Sequence, residues 1–178
     1  MFAIVLAALD RSGSVLPILC AMAVHELAHV VMMLACGGQV RRLTLRFADL
    51  QIAASGLGYR QELLSALAGP LVNLICGAAF CMQRPSFAAY SLMLGIYHLL
   101  PVWPLDGGRM IRCALLARLP ITQAEHISEI VSFAACAVLL LIGVFLTFFR
   151  KSGLWPLGTA AYLTVRLLML ARRTDAVQ

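Results

Sequence analysis

The chain has 178 residues, of which 62% are hydrophobic and only 12% charged, against the roughly 25% charged share of soluble domains. That composition excludes an ordinary soluble domain and implies an all-α polytopic membrane protein, a single compact bundle over residues 1–178. The net charge of +6 does not indicate nucleic acid, because the arginines are dispersed, no basic run is interleaved with aromatics, and no nucleic-acid motif is present.

In chain order, Phe2 to Leu9 is apolar but ends at Asp10-Arg11, well short of the roughly 20 residues needed to span a bilayer. It lacks the basic start of a signal peptide and reads as an interfacial stub or the remnant of a longer first helix. Five later segments are candidates to cross the membrane: Ser14 to Cys36, Leu63 to Met82, Phe87 to Leu100, Ile130 to Phe149, and Leu154 to Ala171, where Arg166 lies near enough to an end to snorkel. Gly37-Gly38 stops the first. After it, Leu43, Leu45 and Phe47 alternate with Arg42, Thr44 and Arg46, and Leu50 and Ile52 continue the pattern. Period-two alternation predicts a small β-hairpin at the membrane interface. The stretch Arg109 to Glu129 reads as an amphipathic connection. The six cysteines form no CxxC pair and read as small packing residues.

Loop charge sets the orientation. Alternate ends of five spans put Arg11, Arg84, Arg150 and Lys151 on one side, and Arg41, Arg42, Arg46, Arg60, Arg109, Arg112, Arg118, Arg172 and Arg173 on the other. The second side is expected to be cytoplasmic.

The first span carries an anomaly. Between Ser12 and Val40 the only ionisable residues of the Asp, Glu, His, Lys and Arg types are His25, Glu26 and His29. Such residues are costly at membrane depth, which favours a functional reading. Two His at i and i+4 share one helix face and can share a zinc ion, while the Glu between them can serve as general base on the attacking water. Catalytic zinc needs a third protein ligand. Asp106 is the strongest candidate, because the third span ends on the same side as the His-bearing helix. Pro101 and Pro104 break the helix there, and Gly107-Gly108 allow a tight turn. Asp10, Asp49, Glu62, Glu125, Glu129 and Asp175 have no comparable setting.

Three motifs in order then carry a resemblance: His25-Glu26-Leu27-Ala28-His29, Ala68-Gly69-Pro70-Leu71-Val72-Asn73, and Leu99-Leu100-Pro101-Val102-Trp103-Pro104-Leu105-Asp106-Gly107-Gly108-Arg109. The chain resembles the site-2 protease family of intramembrane zinc metalloproteases from about Val15 to Arg118, and within it the short bacterial sporulation type that processes pro-sigma-K. The resemblance implies zinc held by His25, His29 and Asp106, Glu26 as catalytic base, and Asn73 at the substrate carbonyl or oxyanion. His98 stands where the family usually has Asn; its imidazole can donate to substrate or oxyanion, or compete for zinc. No soluble C-terminal regulatory domain and no inserted PDZ domain are expected. The implied partners are a membrane-embedded protein substrate and the lipid bilayer, in a bacterial cytoplasmic membrane with the active site toward the cytoplasm. Neither the substrate nor an inhibitory membrane partner can be named from the sequence. The competing reading is a catalytically inactive membrane chaperone or adaptor retaining a structural metal site. An intact Glu26 argues against it, since a binding-only site needs no base.

Overall fold

The computed structural model describes residues 13–46, 49–55, 57–149 and 154–175, so the expectation for Phe2 to Leu9 falls outside the described residues. The chain divides into two compact units, Met1–Leu99 and Leu100–Gln178.

The first unit opens with helix α1, Val15–Ala35. At about 1.5 Å per residue its 21 residues reach about 32 Å, which matches the hydrocarbon thickness of a bilayer. Pro17 falls in the first turn, where a missing N–H costs nothing. The helix ends in a Schellman turn: Gly38 N–H donates to the Met33 carbonyl and Gly37 N–H to the Leu34 carbonyl. Gly37 has φ +82°, a left-handed conformation that glycine adopts without strain. Strands β1 (Gln39–Arg46) and β2 (Asp49–Ser55) follow and pair antiparallel, Leu43 opposite Ile52 and Leu45 opposite Leu50, with an irregularity between Val40 and Arg42.

Helix α2, Tyr59–Ala79, is tied to the end of α1 through Gln61. Its side-chain Oε1 accepts from Gly58 N–H at 2.9 Å, and its Nε2 donates to the Cys36 carbonyl at 3.1 Å. Helix α3, Pro85–His98, starts with proline at its first position, where the fixed φ suits a helix. Small residues let α2 and α3 approach closely. A Cβ on Gly95 would lie 3.0 Å from the Pro70 carbonyl oxygen, and one on Gly77 would strike the Leu92 side chain.

The second unit begins with the Pro101–Pro104 loop, whose Trp103–Pro104 peptide is cis. Helix α4, Asp106–Leu116, carries Asp106 at its positive N-terminal end, a favourable place for a carboxylate. Gly108 fits under the loop only because it lacks a side chain, since a Cβ would sit 2.6 Å from the Val102 backbone. Trp103 N–H donates to Ser132 Oγ at 3.1 Å, which pins the loop to helix α5, Ile121–Phe148. Arg112 adds a 2.9 Å bond to Glu125 and lies over the Trp103 ring at 5.6 Å. Helix α6, Trp155–Asp175, packs on α5 where Gly143 meets the backbone of Pro156 and Leu157.

One boundary differs from expectation. Residues 121–129, read as part of a connection, are the first turns of α5. Glu125, His126 and Glu129 set the segment apart from the apolar run as an amphipathic connection; it is amphipathic, with Ala124 and Ser128 buried on one face, but it is continuous with the apolar helix.

Among the described residues, α1, α2 and α5 are long and apolar enough to cross a membrane. Their surfaces are inverted relative to a soluble protein. Leu27, Val31 and Leu34 on α1 and Val138, Leu141 and Phe145 on α5 are exposed, while His25, His29, Ser65, Asn73, Ser91, Ser128 and Ser132 are buried. Polar groups inside and apolar groups outside are what a lipid solvent selects.

Candidate metal centre

Two stripes of buried residues at four-residue spacing build the site in the first unit. On α1, Ala21, His25, His29 and Met33 are the buried residues. Spacing of four keeps them on one face. On α2 the matching stripe is Ser65, Gly69 and Asn73, all buried. The stripes run in opposite directions and in register. His29 meets Ser65, His25 meets Asn73, and both imidazoles lie over Gly69. A Cβ on Gly69 would be 2.6 Å from His29 Cε1 and 2.9 Å from His25 Cε1. The glycine therefore supplies the space the two rings fill.

The rings are edge to face at 86°, with their Nε2 atoms 3.1 Å apart. His29 Nδ1 lies 2.7 Å from the Ser65 carbonyl oxygen. A carbonyl only accepts, so a neutral His29 carries its hydrogen on Nδ1 and presents a bare Nε2. Ser65 returns the contact, its hydroxyl donating to the His29 carbonyl at 3.3 Å. Anchoring of the far ring nitrogen by a carbonyl is the usual support of a metal-ligating histidine. Two converging imidazole nitrogens, one held bare, fit a zinc ion.

The remaining candidates are distributed around this pair. Glu26 is half-buried, next in sequence to His25 and so about 100° further round the helix. Half-buried His98, at the end of α3, packs edge to face on His25 with ring centroids 4.3 Å apart, and Tyr97 borders it in turn. Asn73, expected at the substrate, places Nδ2 3.2 Å from His25 Nδ1. In the second unit Asp106 is buried, with Arg109 Nη1 3.7 Å from Oδ1. The contributions of Ser65 and Gly69 were not read from the sequence. Ser65 acts on the ring through its backbone carbonyl, which any residue has. The only available signal was small and polar residues at four-residue spacing in an apolar span.

No protein-family model matches the chain. It is 27% identical over 138 residues to stage IV sporulation protein FB of Bacillus subtilis, covering 70% of this chain and 47% of that protein. It is 25% identical over 133 residues to a zinc metalloprotease of Methanocaldococcus jannaschii, covering 67% of this chain and 39% of that one. The chain thus spans less than half the length of these curated relatives. Its fold is similar to that of the site-2 protease from Methanocaldococcus jannaschii, with a TM-score of 0.67 and 19% identity over 94% of this chain and 83% of that one. With this fold, these relatives and apolar membrane-length helices, the chain is an integral membrane protein that has the fold of a site-2 protease and is similar in sequence to zinc metalloproteases.

Proposed function

We propose that the chain is an intramembrane zinc metalloprotease, with residues 1–178 acting as one protease domain, which hydrolyses peptide bonds in or near transmembrane segments of membrane-bound regulators or pro-proteins. The observation that carries this reading is the convergence of His25 and His29 Nε2 at 3.1 Å inside an apolar helix of membrane length. Asp106 is the proposed third ligand. What supports it is a buried carboxylate at the first position of α4, directly after the Pro101–Pro104 loop. When bound, zinc supplies Lewis acidity that polarises the scissile carbonyl and acidifies water.

Glu26 takes the proton of the attacking water and passes it to the leaving amine. Asn73 and His98 flank the His25 ring, and N–H donors there suit the charge that develops on the carbonyl oxygen. A helical substrate hides its carbonyls and must unwind locally. The β1–β2 hairpin, taken to lie at the membrane interface, offers an edge to hold the extended peptide by strand addition. Five crossings are proposed, α3 and α6 joining the three long apolar helices. The basic loops face the cytoplasm of a bacterial cell, by the arginine asymmetry of the loops.

The test pairs zinc content with cleavage of a membrane-embedded reporter peptide. Wild type and Glu26→Gln, purified in detergent, should each retain about one zinc per chain, as a three-ligand site requires. Asp106→Ala should lose it, and only wild type should cleave. Equal cleavage by wild type and Glu26→Gln would remove Glu26 as the base, and no cleavage by zinc-loaded wild type would falsify the protease reading. Zinc retained by Asp106→Ala would move the third ligand elsewhere.

A further inference from the structure

We infer that Asn73 is a positioning residue for His25, its amide oxygen fixing which ring nitrogen of His25 faces the metal. The inference rests on the zinc reading above and concerns a different atom from those that bind zinc.

Among the described residues, Asn73 is buried, yet its Oδ1 has no hydrogen-bond partner, while its Nδ2 faces His25 Nδ1 at 3.2 Å. Oxygen and nitrogen of an amide are interchangeable in placement and are assigned from the network around them. Two arrangements of hydrogens fit the same ring geometry. In the first, Asn73 Nδ2–H donates to His25 Nδ1, His25 Nε2–H donates to His29 Nε2, and His29 Nδ1–H donates to the Ser65 carbonyl. That arrangement consumes the His25 Nε2 lone pair position with a hydrogen and leaves Asn73 Oδ1 buried and unsatisfied. In the second, the amide is turned over. Oδ1 accepts from His25 Nδ1–H, and both Nε2 atoms are bare and converge.

Either arrangement leaves one end of the buried amide without a partner among the described residues, so the choice rests on the metal: only the second leaves the lone pairs of both Nε2 atoms available to it. It also gives His25 the same support that the Ser65 carbonyl gives His29. The turned amide sends Nδ2–H2 to the position Oδ1 held, so one side chain can hold the ligand with one end and donate with the other. The stripe Ser65, Gly69, Asn73 thus serves the two histidines in three ways: an acceptor for each far ring nitrogen, with a gap between for the rings.

The experiment is zinc affinity by chelator competition on the detergent-purified full chain, with the visible spectrum of the Co²⁺-substituted protein read in parallel. The variants are Asn73→Leu, which has no acceptor, and Asn73→Asp, which can only accept. Asn73→Leu is expected to bind zinc about 10–100-fold more weakly, the usual loss for a support of this kind, with altered Co²⁺ bands. Asn73→Asp should keep wild-type affinity and wild-type bands while losing cleavage, since it has no N–H to donate. Wild-type affinity in Asn73→Leu overturns the proposal. So does equal weakening in both variants, the result if the amide N–H, which both lack, is what holds His25. If Asn73→Leu does not fold, a tenfold loss in Asn73→Asp overturns it and retained affinity supports it. Failure of wild type itself to bind zinc sinks the metalloprotease reading instead.

Discussion

The residue that tests the packing of the site most sharply is Gly69. It touches no substrate in the reading above, and its role is to be absent as a side chain. An added methyl would strike His29 Nε2 and lie 2.6 Å from His29 Cε1 and 2.9 Å from His25 Cε1, closer than real Cβ atoms come. One or both rings must then move, and ligand positions tolerate little displacement. Gly69→Ala is expected to lose zinc binding and to destabilise the fold by about 1–3 kcal/mol, as overpacking does. Ser65→Ala is the counterpart. It deletes the 3.3 Å hydroxyl contact but keeps the carbonyl that holds His29, so zinc content should stay at wild-type level with a stability loss of about 1 kcal/mol. Metal analysis and thermal melts of the two proteins check both. At this scale the histidine face was legible because a spacing of four is itself the geometry of a helix. The partners of those rings were not, because one is a backbone carbonyl and another is a missing Cβ.

At the scale of elements, hydropathy located the helices but not all their ends. It read α5 as starting at Ile130, where the uninterrupted apolar run begins, whereas the helix starts at Ile121. The early turns are held by contacts that a hydropathy average does not see. Ser132 Oγ donates to the Ser128 carbonyl at 2.9 Å and accepts from Trp103 N–H at 3.1 Å, and Arg112 bonds Glu125. Ser132 therefore links α5 to the loop that leads into Asp106. Ser132→Ala leaves the Trp103 N–H without this acceptor, at a cost of about 1–3 kcal/mol. If Asp106 is a zinc ligand, the same change should also weaken zinc affinity, because the loop sets where α4 begins. Unfolding and chelator titration of Ser132→Ala measure the two effects. A lower melting temperature with unchanged zinc affinity would show that the loop serves stability alone. The hydrogen bond itself had no sequence signature, since a serine inside an apolar helix more often bonds back to its own helix, as Ser132 also does.

For the whole molecule, the inverted surface makes a prediction about solvent. Leu141 is 71% exposed near the middle of the apolar part of α5, and Phe149, at 74%, lies just past its end. If lipid surrounds α5, equal exposure does not mean equal tolerance. An arginine at position 141 must sit in hydrocarbon, at about 2.5–3.5 kcal/mol by insertion measurements. An arginine at position 149 can extend its head to the interface. Leu141→Arg should therefore reduce the membrane-integrated fraction severalfold, while Phe149→Arg leaves it near wild type. In water the two changes would be equally harmless, because each replaces an exposed apolar side chain with a soluble one. Carbonate extraction of membranes expressing each variant separates these cases. Full integration of Leu141→Arg would mean that this face of α5 is covered by protein or water, and the expected five-span arrangement would have to be redrawn around it.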